Sequence, residues 1–483
     1  MVKEPGAVLD LEQLLTPASI AVVGASAKKE SQGYEYVQTL VEAGFAGPIY
    51  PVNPKLDELL GLKCYPDLKA IPGDVDFVIS AVPADATLEL VDGAIEKKAK
   101  LIHFFTARFS ETGREDAAQL EAELMRRTRE AGIRVIGPNC MGVHYPKNKI
   151  SFDPVLPRNI GNVGILSQSG SHAFRIIGRG AERGVGFSKV ISYGNAMDLN
   201  EADFLEHFAQ DPDTEVIGAY IEGIRDGRRF LRALRAAASV KPVVVLKGGR
   251  TTAGRSAAAS HTASLASQAA VWHAAVRQAG ALEVSSLNEL IDMLVAFAHA
   301  GPAAGPRVAV LGGAGGEMVE SADICNEAGL DVAPLTPEIR ESLKEIVPKT
   351  WDWISNPIDG SILEWGRPQA LQVLQALATS PAYDVVLANV RWLEFMAARD
   401  DGETVFQDTL GHLKSLAKDN GKATMFVLSD SESPDERRRR AVVVARNAFA
   451  EAGVAVYPDI ERAARTLGEY VRYLGERRSQ LGE

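Results

Sequence analysis

The chain has 483 residues, 46% of them hydrophobic and 24% charged, which excludes a disordered, collagen-like or coiled-coil protein and predicts about three domains at ~100–200 residues each. Fifty-two basic residues against 63 acidic ones give a formal net charge of −11. That argues against a general nucleic-acid or anionic-membrane surface and leaves a local basic pocket for phosphates open. Cys64, Cys140 and Cys325 stand far apart and form no CxxC pair, so a reducing compartment without a disulfide framework is expected. The opening MVKEPGAVLDLEQLL carries acids where a signal peptide needs an apolar core. No apolar run reaches the ~18–20 residues of a membrane span. A cytoplasmic protein is expected.

Short β-branched runs alternate with amphipathic stretches, the pattern of parallel sheets flanked by helices. The expected fold class is α/β, with three consecutive Rossmann-like or flavodoxin-like parallel-sheet domains. In the first, 1–150, strands are expected at 19–24, 48–52, 75–80, 101–105 and 134–137, and helices at 33–43, 85–97 and 114–131. Its boundary falls at the polar, Pro-containing stretch 145–149 or slightly beyond. In the second, 151–303, strands are expected at 162–167, 189–192, 216–221 and 242–247, with helices at 170–183, 200–209, 227–239 and 267–279. The Pro/Gly/Ala segment 301–306 reads as a linker. The third, 304–483, restarts with a strand at 307–312 and continues through 384–389, 424–428 and 454–457. A charged helix at roughly 460–478 closes it.

Gly24-Ala-Ser26 follows a strand and precedes a helical pattern, a turn that brings backbone N–H groups and a helix N-terminus to a phosphate. It is not GxGxxG, since the next glycine is Gly33, so an adenine nucleotide other than NAD fits better. Lys28 and Lys29 would supply charge; a tight turn with solvated lysines is the bland alternative. Asn53-Pro-Lys55 and Ala81-Val-Pro83 occupy expected strand C-termini, where ligands of open parallel sheets bind, although prolines there also simply end strands. Ser167-Gln-Ser169-Gly170-Ser171 joins a strand to a helix and reads either as an anion cradle or as an ordinary serine cap. In the small, cationic stretch from Gly248 to Ser264, His261 stands without a second histidine or cysteine, so it is a poor metal ligand. It is either a nucleophile served by Arg250 and Arg255 or a solvated loop histidine. The other seven histidines show no such context. Glu222, at a strand exit, is a capping group or the carboxylate that sets the His261 tautomer. Gly312-Gly-Ala-Gly-Gly316-Glu317 and Asn356-Pro-Ile-Asp359-Gly360 have the character of ligand-facing loops or of plain turns. Trp351, Trp353 and Trp365 near the second loop wall a pocket, form an interface or belong to the core.

Taken in order, Gly24-Ala-Ser26, Val52-Asn-Pro-Lys55, Ala81-Val-Pro83, Gly137-Pro-Asn139, Ser167-Gln-Ser-Gly170, Tyr220-Ile-Glu-Gly223 and Ser260-His-Thr262 resemble the α subunit of NDP-forming acyl-CoA synthetases. These are the ADP-forming acetyl-CoA synthetase relatives of succinyl-CoA synthetase, and the resemblance covers nearly the whole chain. It implies a CoA-binding Rossmann-like domain at 1–150, a succinyl-CoA-synthetase-like domain with a phosphohistidine loop at 151–303 and a ligase-CoA domain at 304–483. It implies that His261 is the phosphorylated histidine and Glu222 the glutamate that positions it. Ser169 and Gly170 would bind phosphate, and Gly24, Ser26, Asn53, Lys55, Pro83 and Asn139 would contact CoA; no metal ligand is implied on this chain. The reaction implied is reversible: carboxylic acid, CoA and NTP give acyl-CoA, NDP and phosphate, through an acyl phosphate and a phosphohistidine on a mobile loop. An ATP-grasp β subunit would carry ATP/ADP or GTP/GDP with Mg²⁺, in an α₂β₂-type assembly. Departures are Ala263 and Ser267-Gln268 after the histidine, Arg108 where a glycine is usual, and Gly312-Gly313 where Asn-Ala is usual. They bear on the acid used and not on the reaction class. Two alternatives stay open: a non-catalytic CoA-binding regulatory protein of the same fold, which would be expected to have lost the histidine or the glutamate, and an NAD oxidoreductase, against which the absent GxGxxG argues.

Overall fold

The computed structural model describes residues 10–254, 269–363, 369–397 and 402–481. The chain divides into two compact units, one of Met1–Gly178 with Gly186–Leu287 and one of Arg179–Val185 with Asn288–Glu483.

The first unit holds two main sheets. Strands β1 (Ile20–Val23), β2 (Ile49–Val52), β5 (Phe77–Ser80), β6 (Leu101–Phe104) and β7 (Arg134–Ile136) pair in parallel in the order β2-β1-β5-β6-β7; β3 (Glu58–Leu59) and β4 (Leu62–Lys63) form a small antiparallel ribbon beside them. β5 and β6 are buried at every position, which is why they read as near-continuous apolar runs and not as alternating ones. The second sheet takes β8 (Gly142–His144), β9 (Ile160–Ser167), β10 (Phe187–Ser192), β11 (Val216–Ile221), β12 (Val243–Lys247) and β13 (Leu282–Val284) in the order β13-β12-β11-β9-β10-β8. All its pairs are parallel except β8 with β10. Three of the helices between strands start on side-chain caps. Ser31 caps Gln32–Ala43, Asn200 and Asp203 form a capping box on Glu201–Gln210, and Asp226 caps Gly227–Val240.

The second unit has four parallel strands, β14 (Val308–Leu311), β15 (Val385–Asn389), β16 (Ala423–Val427) and β17 (Ala455–Tyr457), in sequential order. The segment Arg179–Val185 is tied into this unit by charge. Arg183 and Arg462 both hold the buried carboxylate of Asp292, and the Arg183 guanidinium lies 4.8 Å from the Tyr457 ring centroid.

Nearly every expected strand and helix lies within a few residues of an observed one; among the elements not anticipated are the helices between the strands of the second unit, β8, β13 and the helix Leu287–His299. β8 and β13 are three residues long, too short for a period-2 pattern. Leu290 through Ala296 of the helix are all buried, Asp292 included, so it shows no polar face to announce a helical period. β8 lies before residue 150 yet pairs into the second sheet. The expected linker 301–306 is pinned: Gly301 O accepts from Tyr470 Oη at 2.8 Å, and Arg478 donates to Ala303 O and Ala304 O. Among the described residues no helix is long and apolar enough to cross a membrane. The three cysteines are buried and unpaired with one another.

Candidate functional site

The first sheet reverses its strand order between β1 and β5, and in open parallel sheets ligands bind at that switch point, outside the strand C-termini. Gly24 leaves β1 with φ +91°, and a Cβ there would meet Ala81 C and O at 2.8 Å. A Cβ on Gly33 would lie 2.0 Å from Gly24 O. Two glycines nine positions apart therefore let the helix Gln32–Ala43 sit against the turn, the close approach that the missing GxGxxG spacing had seemed to remove. Ser26 Oγ accepts from Lys28 N at 3.1 Å. Asn53, at the end of β2, donates to Ala25 O at 2.6 Å and accepts from Lys55 N at 2.8 Å, locking the second loop onto the first. Pro83 precedes a short 3₁₀ turn at Ala84–Ala86. Thr106 Oγ1 bonds Val82 O, and Asn139 N donates to Thr106 O at 2.9 Å. Asn139, with φ +59°, reaches Asn195, which donates to Glu111. Gly24, Ser26, Asn53, Lys55, Pro83 and Asn139 thus lie on loops laced along one sheet edge. A narrow backbone turn, with exposed Lys28 and Lys29 following it and exposed Lys55 on the adjoining loop, suits a phosphate-bearing ligand. Burial pushes the neighbouring Cys140 thiol up, so it remains protonated.

Arg108 sits in the loop after β6 at φ +83°, a region that costs an L-residue roughly 1–2 kcal/mol and glycine almost nothing. Its guanidinium has no hydrogen-bond partner among the described residues. Arg108→Gly is expected to stabilise the protein by about 1 kcal/mol, a rise of ~2 °C in Tm for a unit of this size. A fall in Tm would mean that the side chain holds a contact worth more than the strain.

In the second sheet, β9, β11 and β12 bring three loops together at their C-terminal ends. Gln168 Oε1 accepts from the backbone N–H groups of Glu222 and Gly223, so the Ser-Gln-Ser loop and the glutamate loop are joined. Ser169 N donates to Ser167 Oγ at 3.2 Å, and Ser169 Oγ accepts from His172 N at 3.3 Å at the start of the helix Gly170–Ala181. A Cβ on Gly248 would meet Tyr220 Oη at 2.7 Å and Glu222 Cγ at 3.1 Å. The segment bearing His261 therefore departs from β12 directly beside Glu222. Glu222 is 9% exposed, and its Oε2 finds no hydrogen-bond partner among the described residues. A buried carboxylate oxygen without a donor is costly unless a ligand or another side chain supplies one. Lys247 Nζ donates to Glu222 O and Gly248 O and lies 5.6 Å from the Trp272 ring centroid; burial lowers its pKa while Glu222 opposes. His261, Arg255, Ser260, Thr262, Ala263, Ser267 and Gln268 lie outside the described residues.

Tyr220, His172 and Lys247 had no assigned part in the sequence reading. The His172 ring stacks on Tyr220, centroids 4.1 Å apart and planes 10° from parallel. The signal was present: His172 stands three positions after Ser169, on the same face of the first helical turn. In the second unit, Asn356 of the loop that read either as ligand-facing or as a plain turn serves the fold. Its amide is spent on backbone, donating to Val308 O and Ala333 O and accepting from Val310 N, each at 2.8 Å. Gly312, with φ +106°, and Gly360 pack loop on loop. Trp351 is partly buried against the core of that unit, Trp353 is 59% exposed, and Trp365 lies outside the described residues. Among the described residues no group of three His, Cys, Asp or Glu could hold a metal ion.

Comparison with known proteins places this geometry. Residues 18–146 match the family model of a CoA binding domain, and residues 160–297 match that of a succinyl-CoA ligase like flavodoxin domain. The acetate–CoA ligase [ADP-forming] II subunit alpha of Pyrococcus furiosus is 36% identical over 378 residues, 78% of this chain and 82% of that one. The chain belongs to the ADP-forming acetyl-CoA synthetase family. Another member, acetate–CoA ligase [ADP-forming] I of Archaeoglobus fulgidus, is 34% identical over 96% of this chain, which spans 64% of that protein's length. Among solved structures, the synthetase 1 of Ca. Korarchaeum cryptofilum, in complex with phosphate and ADP, superimposes with a TM-score of 0.82 at 31% identity over 97% of both chains. In family terms, the first sheet edge falls within the CoA-binding match, and the Gln168–Glu222 edge within the succinyl-CoA-ligase-like match.

Proposed function

We propose that this chain is the α-type subunit of an NDP-forming acyl-CoA synthetase, an acid–thiol ligase that works with an ATP-grasp partner. The observation that carries the reading is the Glu222 carboxylate, nine-tenths buried with Oε2 lacking a donor. It stands beside the helix N-terminus at Ser169–Gly170 and at the root of the segment bearing His261. A neutral histidine whose Nδ1–H is held by a carboxylate presents Nε2 as the nucleophile. The same carboxylate then stabilises the charge on the phosphorylated ring.

In the acid-forming direction, a phosphate oxygen attacks the thioester carbonyl and the C–S bond breaks, giving an acyl phosphate and free CoA thiol. His261 Nε2 then attacks phosphorus; the P–O bond to the acyl group breaks and the carboxylate leaves. A nucleoside diphosphate on the partner, with Mg²⁺, takes the phosphoryl group from His261 and becomes the triphosphate. CoA contributes the thiol that makes the carbonyl reactive. The chain's own part is to hold it along the Gly24, Ser26, Asn53, Lys55, Pro83 and Asn139 edge, to cradle phosphate at Ser169 and Gly170, and to supply His261 and Glu222. The division into domains 1–150, 151–303 and 304–483 and the α₂β₂-type assembly belong to the same proposal.

The test is the intact mass of the purified chain after incubation with phosphate and a panel of acyl-CoA thioesters, with and without an ATP-grasp partner, with His261→Ala alongside. A single acid-labile phosphoryl adduct, absent from the variant, is expected, and the thioester that gives it names the acid. Measurable CoA binding without an adduct from any thioester would turn the reading to a regulatory CoA-binding protein.

A further inference from the structure

We propose that His172 is a positioning residue of the phosphoryl site, donating from Nδ1–H to Ser169 Oγ so that the one proton of that hydroxyl faces the anion. This rests on the reading of the Ser169–Gly170 helix N-terminus as the place where phosphate binds.

Three polar atoms surround Ser169 Oγ. His172 Nδ1 is at 3.1 Å, the His172 backbone N at 3.3 Å and Ser171 Oγ at 3.0 Å. A hydroxyl has one proton and two acceptor lone pairs. When both His172 groups donate, the lone pairs are filled and the hydroxyl proton is left for an acceptor: Ser171 Oγ in this structure, or an anion in front of the helix that takes its place. In the other tautomer Nδ1 is an acceptor, takes the serine proton and leaves the helix N-terminus one donor short. A phosphoryl oxygen only accepts, so an anion in front of the helix selects the first arrangement. The ring is not free to turn away, because it lies flat on Tyr220. Burial, with Arg175 nearby, lowers the His172 pKa, so the ring is neutral at pH 7 and which nitrogen carries the proton matters. The stack also connects the two sides of the site. Tyr220 Oη stands over Gly248 together with Glu222, so the ring that orders Ser169 rests on the ring that borders the carboxylate.

Two substitutions separate the hydrogen bond from the stack. His172→Phe keeps an aromatic ring on Tyr220 and deletes Nδ1; His172→Asn removes the ring and keeps an amide donor near the Nδ1 position. The full chain is titrated with inorganic phosphate by calorimetry, with CoA binding and Tm as controls. His172→Phe and Ser169→Ala are each expected to raise the phosphate Kd about tenfold, the effect of one hydrogen bond to a charged group. His172→Asn should stay within about threefold of wild type. The double variant should be no worse than Ser169→Ala alone, since both changes remove the same donor. Equal phosphate affinity in His172→Phe and wild type, equal losses in the Phe and Asn variants, or additive losses in the double variant would each overturn the proposal while leaving the phosphoryl site standing. A wild-type chain that binds CoA but no phosphate would overturn the site reading itself, and the role of His172 with it.

Discussion

Glu222→Gln is expected to lower turnover about 10²–10⁴-fold in the acid-forming direction, with little change in stability. Glutamine keeps the volume and one carbonyl oxygen but loses the charge that orients an imidazole N–H and stabilises the ring once it is phosphorylated. The expected neutrality in stability has a specific source. Glu222 Oε2 holds no partner among the described residues, and the loop is fastened through main-chain groups, with Glu222 N on Gln168 and Glu222 O on Lys247. Removing the charge therefore breaks no fold contact made by that oxygen. Steady-state rates with the partner subunit, together with the His261 phosphoryl adduct by intact mass, measure the effect. Turnover within threefold of wild type would remove Glu222 from the relay. A large fall in Tm would assign it to the fold instead.

Lys189→Met is expected to destabilise the first unit by about 3–5 kcal/mol at pH 7, the cost of leaving a buried charge alone. Lys189 is fully buried in β10, with Nζ 2.8 Å from Asp211 and 3.1 Å from Glu12, and it lies 4.5 Å from the Tyr145 ring centroid. Burial acts to raise the Asp211 carboxyl, but the bonds from Lys189 and Thr214 outweigh it and hold the pKa below the usual range. A carboxyl lowered in the folded state adds stability that is complete above its unfolded pKa, ~3.9. That stability is lost as the pH falls through the folded value. Without Lys189 the bias reverses: Asp211 is buried unpaired, its pKa rises, and the variant recovers as acid protonates it. Denaturant unfolding of wild type and variant from pH 7 to pH 4.5 should show the gap narrowing. A gap below 1 kcal/mol at pH 7, or one that widens on acidification, would refute the argument. Lys189→Met with Asp211→Leu should recover much of the loss, because both charges are then absent.

The parallel-sheet architecture was legible because strands covered on both faces leave unbroken apolar runs, and because Ser31, Asn200 and Asp226 are recognisable helix starts. The placement of Gly24, Asn53 and Pro83 at strand ends was legible for the same reason. What stayed hidden depends on atoms far apart in the chain. Gln168 takes both N–H groups of the Glu222 loop across 54 and 55 positions. The Asn356–Gly360 loop reads equally as ligand-facing or as a plain turn, and only the structure shows the Asn356 amide spent on Val308, Val310 and Ala333. Gly33 looks too far from Gly24 to share its turn, and only the packing of the helix against that turn makes it part of the same feature.

By itself the sequence determined the class of fold, the order of its strands along the chain and the family, since these rest on local periodicity, capping and ordered short motifs. Tertiary structure alone decided which strand ends meet. It seated the N-terminus of the helix Gly170–Ala181 near the carboxylate just past β11 whose Oε2 has no partner among the described residues, laid His172 on Tyr220, and closed Lys189 on Asp211 and Glu12. Local signals record what each segment prefers. They do not record which buried polar atoms find partners, because that balance is settled only when distant strands pack and water is excluded from between them.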